Sequence, residues 1–335
     1  MFRRAHHERT EYITLRYDEH MKLLFILDPL TSLNSYKDTS LAIMREAAAR
    51  GHTLYVCEQH DVFLRNEIVK INAKIFSFSD KGIWFNLEQA VEVLPSSFNI
   101  ILMRKDPPFD NEYLYSTYLL ELAAGQGACV INNPASVRSW NEKLSVAKFP
   151  QFAPELLVTA NNAFIREFLA THKDIVIKPL DGMGGSGIFR VHEYDHNIGV
   201  ILETATQFGR QTIMAQRYLP AILQGDKRII VINGEPLPYA LARIPKAGET
   251  RGNLAAGGTG IAQPLSARDL EIAMTVGNTL KVDSLFLVGL DVIGDFLTEI
   301  NVTSPTGMVE IAAQTQHLDA PCNGPQIFVE ALETI

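Results

Sequence analysis

The sequence predicts an α/β protein in two parts. An open, doubly wound parallel sheet comes first, and a mixed, largely antiparallel α+β half follows. Three observations carry this. Short apolar runs alternate with helical patterns from Lys22 to Ile131, which implies βαβ units. The dipeptide Asn233-Gly234 sits between two apolar runs, a strong hairpin signal. A second hairpin, Leu285–Ile293 and Phe296–Val302, turns at Gly294-Asp295.

Residues 1–20 hold no apolar stretch of the kind a secretory signal needs, and Glu8, Glu11, Asp18 and Glu19 argue against a transit peptide. They are expected to form a disordered extension. Lys22–Asp28 reads as a buried strand. Asp38 caps a helix running to Arg50, with Gly51 just past its end. Thr53–Glu58 and Asn99–Met103 are strands, Asn111–Ala124 is a helix closed by Gly125, and Ala128–Ile131 is a fourth strand. The first domain is placed at 21–140, and 141–335 forms the second. On sheets of this kind ligands lie at the carboxyl ends of strands, where Asp28 and Arg104-Lys105-Asp106 fall.

In the second half Ile175–Lys178 leads into Gly182-Met-Gly-Gly-Ser-Gly187. The spacing matches a dinucleotide fingerprint, but a strand-like Ile188-Phe-Arg-Val191 follows instead of the helix such a site requires. Strand, glycine loop, strand is a flap, suited to covering phosphates with backbone N–H groups. Tight turns with no ligand are the plain alternative. Lys178, just before the flap, is placed to meet phosphates as a point charge. Arg228, Arg243 and Arg251 are candidate clamps for carboxylate or phosphate, since the guanidinium fork suits both. Pro245–Gly260 holds five glycines and no periodicity, and reads as a long surface loop.

Asp291, Glu299 and Asn301 interrupt the apolar strands of the second hairpin. A buried carboxylate needs a positive partner. No Lys or Arg lies between Asp291 and Pro305, so a metal ion is the natural candidate, and oxygen donors suit Mg²⁺. Parity constrains this site. A regular two-residue turn would put Asp291 and Glu299 on opposite faces, so a shared site demands an odd loop or a bulge.

Composition sets the outer bounds. A net charge of −8 argues against a broad nucleic-acid surface. Three scattered cysteines, Cys57, Cys129 and Cys322, fit reduced thiols in a cytoplasmic protein, and no apolar run is long enough to span a bilayer. There is no G-K-[ST], H-R-D or D-F-G element and no nucleophile triad.

Taken together, ILMRKDPPFD (101–110), IKPLDGMGGSGIFRV (177–191), GDKR (225–228), LARIPKAGETRGNLAAGG (241–258) and VGLDVIGDFLTEINVTSP (288–305) resemble the ATP-grasp superfamily and, within it, the bacterial glutathione synthetases. The resemblance runs from about Met21 to Thr306 and fades after Pro305. It implies a lid subdomain at about 143–220 and an ATP-dependent ligase joining γ-glutamylcysteine to glycine through an acyl phosphate. Lys143, Lys178, Gly182, Met183, Gly184, Gly185 and Asp226 would meet ATP, with Gln216, Tyr218 and Leu219 framing the adenine. Asp291, Glu299 and Asn301 would hold two Mg²⁺ ions, or Mn²⁺ in their place. Arg228, Arg243 and Arg251 would act at the transferred phosphate or the peptide carboxylates. Asp28, Arg104, Asn301 and Ser304 would lie on the substrate side. A homotetramer acting on small molecules, without nucleic acid or membrane, is also implied. A related dipeptide or amino-acid ligase and a non-catalytic ATP-binding module are the alternatives.

Overall fold

The computed structural model describes residues 20–335 apart from Met183, Ala247, 249–251 and 253–256. The extension before His20 therefore lies outside the described residues, as do Met183, Arg251 and much of the glycine-rich segment.

The first sheet contains β1 (Lys22–Leu27), β2 (Thr53–Glu58), β3 (Val62–Arg65), β4 (Ile68–Phe78), β5 (Phe85–Leu87), β6 (Val91–Val93), β7 (Ile100–Met103) and β8 (Val130–Ile131). The order is β3-β4-β2-β1-β7-β8, with β5 and β6 also pairing with β4. The β2-β1-β7-β8 core is parallel, as expected, whereas β4 joins β2 antiparallel and carries β3, β5 and β6. The sheet is therefore mixed rather than purely parallel. Its core is doubly wound. Leu23, Phe25 and Leu27 pack with α1 (Thr39–Ala49), while Leu24 and Ile26 face α2 (Asn111–Gly125). Successive strand side chains point to opposite faces, so a strand covered on both sides reads as an unbroken apolar run. Asp38 caps α1 by accepting from Leu41 N at 2.9 Å, and Asp110 caps α2 through Tyr113 N at 2.9 Å. α3 (Pro134–Ser139) closes this part.

The second sheet has the order β11-β10-β12-β9, from β9 (Leu156–Thr159), β10 (Asp174–Pro179), β11 (Phe189–His192) and β12 (Ile213–Arg217). All its pairs are antiparallel. Ile175, Ile177, Val191, Ile213 and Ala215 form a small core with α4 (Asn162–His172) and α5 (Ile198–Ala205). The opposite face is left for the cavity.

The third sheet has the order β15-β14-β13-β16-β17, from β13 (Asp226–Ile232), β14 (Glu235–Ile244), β15 (Thr259–Pro264), β16 (Leu287–Ile293) and β17 (Phe296–Asn301). The β13–β14 turn has Asn233 at φ 49° and Gly234 at φ 89°, the two left-handed positions of the tight hairpin expected there. α6 (Ala267–Val282) covers one face. The segment after Pro305, where the resemblance fades, forms α7 (Met308–Thr315) and α8 (Gly324–Leu332). Met308, Ile311, Phe328, Val329 and Leu332 are buried in a core shared by β1, α1 and the third sheet.

Candidate active site

A cavity of about 360 Å³ lies where the three sheets meet. Strand register explains its walls. On the second sheet Val176 pairs with Arg190 on one side and with Gln216 on the other. Those three form one row facing the cavity, and Lys178, two residues beyond Val176, points the same way. Tyr218, Leu219 and Ile222 follow β12 and complete this wall. Arg190 is held by Asp174 through two bonds of 3.1 and 2.7 Å and stacks 3.6 Å from the Tyr218 ring centroid.

The flap joins β10 to β11, which pair antiparallel with Ile177 opposite Phe189. It is thus the hairpin flap expected, with no helix behind it. Gly184, Gly185 and Gly187 have φ of 65°, 80° and 72°, a region disfavoured for any residue with a Cβ. A Cβ on Gly182 would come within 2.8 Å of Pro179 Cγ.

On the third sheet Asp226 pairs with Arg243, Arg228 with Leu241 and Asp291, and Asp291 with Glu299. Parity sends these side chains to one face. The turn at Gly294-Asp295 is regular, with Ile293 opposite Phe296, and the register shifts between Asp291 and Val292. Thr298 is the extra residue of this bulge. The bulge that a shared Asp291–Glu299 face requires is present. It also leaves the Thr298 carbonyl to accept from Lys178 Nζ at 3.3 Å, while its hydroxyl donates to Asp291 O at 3.1 Å.

Four basic groups form the floor, and a carboxylate accompanies each. Lys143 Nζ bonds to Glu142 and donates to Gly182 O at 2.8 Å. Lys178 Nζ lies 3.6 Å from Glu299. Arg228 grips Asp291 through Nε at 2.5 Å and Nη2 at 3.0 Å. Arg243 Nη2 reaches Asp226 at 2.5 Å and Asp291 at 2.8 Å. Burial alone pushes the Asp291 carboxyl upward, but two guanidinium groups outweigh it and hold it well below the usual range. Among the described residues Asp226 bonds to one arginine, Arg243, and its Oδ1 has no partner; burial pushes its carboxyl up to about 6. Burial and the Glu299 carboxylate push Glu142 up to about 7 against the pull of Lys143. Burial lowers Lys178, whereas Glu299 and Glu142 raise Lys143 against the effect of burial.

Lys143, Lys178, Gly182, Gly184, Gly185, Gln216, Tyr218, Leu219, Asp226, Arg228, Arg243, Glu299, Asn301 and Ser304 thus all line one cavity. Asp28 and Arg104 do not. Asp28 accepts from Lys105 Nζ and from Asp106 N, each at 2.8 Å, and Arg104 is buried behind the wall. Asp291 lies beneath the floor at 2% exposure, with both oxygens bound to arginine. A metal was expected there for want of a basic residue nearby in sequence; the positive partners come across the sheet, from β13 and β14. Among the described residues no three His, Cys, Asp or Glu side chains gather as a metal cluster. Glu299 and Asn301 still face the cavity with oxygen donors. The floor's cations are already matched by carboxylates, so a polyphosphate entering here needs added positive charge. On both counts the residues fit a hard divalent ion.

Sequence reasoning missed Glu142, Arg190 and Thr298, all in the cavity wall, whereas Asp106, at the carboxyl end of β7 where ligands were expected, does line it. Arg190 was findable by parity, being one strand position beyond the flap and opposite a residue in phase with Lys178. Glu142 carries no such signal, since it does not lie within a strand.

Family models agree with this geometry. Residues 21–138 match the N-terminal domain of prokaryotic glutathione synthetase, and residues 142–316 match its ATP-grasp domain. The glutathione synthetase of Nitrosomonas europaea is 58% identical over 318 residues, covering 93% of this chain and 98% of that protein. That of Pseudomonas aeruginosa is 54% identical over 292 residues, covering 87% and 92%. Among solved structures, D-cycloserine synthetase DcsG superposes with a TM-score of 0.64 at 15% identity, covering 93% of this chain and 99% of that one. D-alanyl-alanine synthetase A of Vibrio cholerae gives 0.58 at 12%, covering 94% and 98%. These two likenesses speak for the fold alone. With both models and relatives of this identity spanning most of its length, the chain belongs to the prokaryotic glutathione synthetase family.

Proposed function

We propose that the chain is an ATP-dependent ligase that joins γ-glutamylcysteine to glycine and releases ADP and phosphate. The observation that carries this reading is the convergence on one cavity of two buried lysines, a glycine flap and the Glu299–Asn301 face. Such a floor serves phosphoryl transfer, in which positioning and charge neutralisation do most of the work.

In this reading the adenine lies against Gln216, Tyr218 and Leu219, beside the apolar Val176, Ile188 and Ile222. Lys143 and Lys178 meet the phosphates, and Gly182–Gly185 cover them. Lys143 is tied to the flap through Gly182 O, so phosphate binding and flap position are linked. A divalent ion, Mg²⁺ or Mn²⁺ and two of them by resemblance, would be held by Glu299 and Asn301, with Asp291 behind them, and would neutralise charge on the phosphoryl oxygens. Arg228 and Arg243, aligned by Asp291 and Asp226, orient the carboxylates. The cysteinyl carboxylate oxygen attacks the γ-phosphorus while the bond to the ADP oxygen breaks. The glycine amine then attacks the acyl carbon, and phosphate leaves. By the resemblance, the 245–260 segment would be a lid that keeps water from the acyl phosphate.

The domain division follows the same reading, with 21–140 on the substrate side and 141–335 on the nucleotide side. A cytoplasmic homotetramer is proposed by resemblance. No described helix is long and apolar enough to cross a membrane.

ADP release tests the proposal. It is expected only when γ-glutamylcysteine, glycine and Mg²⁺ are all present with ATP. Release with another amino-acid pair would assign a different ligase. ATP binding without turnover on any pair would leave a binding module.

A further inference from the structure

Arg104 is buried, at 5% exposure, and does not itself line the cavity. It follows β7, and its backbone amide donates to Ile26 O at 2.9 Å. Its side chain enters the seam between the first sheet and the segment after β17. There Nε donates to Ser40 Oγ at 3.0 Å, at the start of α1, and Nη2 donates to Pro305 O at 3.0 Å. Two residues on, Asp106 accepts from Ser304 Oγ at 2.6 Å. Asp106 is itself fixed, because its amide donates to Asp28 at 2.8 Å and its carbonyl accepts from Lys105 at 3.0 Å. Thr303–Gly307 forms one wall of the cavity, away from Gln216–Leu219. Thus Pro305 is gripped through its carbonyl and Ser304 through its hydroxyl, both from the carboxyl end of β7.

Burying an arginine is a poor way to gain stability, since a well-packed apolar side chain often does as well. A guanidinium can, however, span two acceptors at fixed angles, which a lysine cannot. We infer that Arg104 is a positioning residue for the peptide half of the reaction. It locks the 303–307 wall to the first sheet and so sets the affinity for the dipeptide without touching it. Asp28 acts one step further back, by fixing Lys105 and Asp106. This inference rests on the reading that the 303–307 end of the cavity takes γ-glutamylcysteine and the Gln216–Leu219 end takes ATP.

The test compares full-length wild type with Arg104→Met and Arg104→Lys in steady-state kinetics and amide hydrogen exchange. Loss of two charge-assisted hydrogen bonds in Arg104→Met should raise KM for γ-glutamylcysteine about tenfold or more. KM for ATP should stay within about twofold. Residues 302–307 should exchange faster in the ligand-free protein, while β10 and β12 are unchanged. Arg104→Lys, which keeps the charge and one bond, should recover part of both effects; it carries the comparison alone should Arg104→Met not fold. Equal rises in both KM values, or unchanged exchange at 302–307, would overturn the inference. If wild type shows no turnover with γ-glutamylcysteine and glycine, the functional reading fails, and the exchange result alone decides on the clamp.

Discussion

Glu142 shows how a single side chain registers the burial and the charges packed around it. Burial and the Glu299 carboxylate raise it to about 7, although Lys143 is bonded to it. The linkage has a definite sign. In the unfolded chain a glutamate titrates near about 4.3. Between there and about 7 the folded protein holds a proton that the unfolded chain has lost. Stability from this group is therefore full at low pH and declines as pH rises towards and through 7. In EDTA, Glu142→Gln should flatten the pH dependence of unfolding free energy between pH 5 and 8. The variant should gain on wild type by up to about 2 kcal/mol across that range. Parallel curves in urea melts would show that Glu142 is not held under this repulsion. Asp291 marks the opposite case, because two arginines hold it ionised. Its partners were not legible in the sequence: Arg228 is 63 residues away, and only sheet register brings the two together.

Among the elements, the second hairpin is the one whose geometry strand parity constrains most tightly. Parity required a bulge or an odd loop between Asp291 and Glu299, and the bulge at Thr298 meets that requirement while the Gly294-Asp295 turn stays regular. The flap was equally legible, because glycines at 184, 185 and 187 adopt left-handed φ and a strand follows. A methyl group at Gly182 must displace either Pro179 or the flap, since Cβ would lie 2.8 Å from Pro179 Cγ. Displacement pulls Gly182 O away from Lys143. Gly182→Ala should therefore raise KM for ATP about tenfold, the effect of one charge-assisted bond and a misplaced cover. Melting temperature should move by no more than about 3 °C, because the flap lies outside the core. An unchanged KM for ATP would detach the flap from nucleotide binding. Strands β3 to β6 were less legible. They alternate polar and apolar residues over an antiparallel meander, in a region where a run of parallel strands was the pattern sought. β9 and β15 are short and half-exposed, so no apolar run announces them.

At the scale of the whole molecule, the cavity exists because three sheets with different duties are held around it. The first sheet and the third share one apolar core with α1, α7 and α8. The sequence after Pro305 looked uninformative, yet it supplies part of that core: Phe328, Val329 and Leu332 are each at most 1% exposed. Arg50 and His52, at the end of α1, bond to Glu330 and Glu333 of the C-terminal segment at 2.6 to 2.9 Å. These pairs are partly solvated and contribute little, so the three apolar side chains dominate, at about 2 kcal/mol each. Truncation before Gly324 should lower unfolding free energy by about 5 kcal/mol or more and expose dye-binding apolar surface. A truncated chain that melts like the full one would show that α8 is an appendage.

In the proposed reaction, carboxylate activation occurs at the γ-phosphorus, on the floor formed by Lys143, Lys178, Glu299 and Asn301. Isotope transfer tests it most directly. With γ-glutamylcysteine carrying ¹⁸O in the cysteinyl carboxylate, one label should appear in inorganic phosphate, with ADP as the nucleotide product. Glu299→Gln should suppress that transfer strongly while leaving weaker ATP binding. Label in AMP, with pyrophosphate released, would contradict the claim.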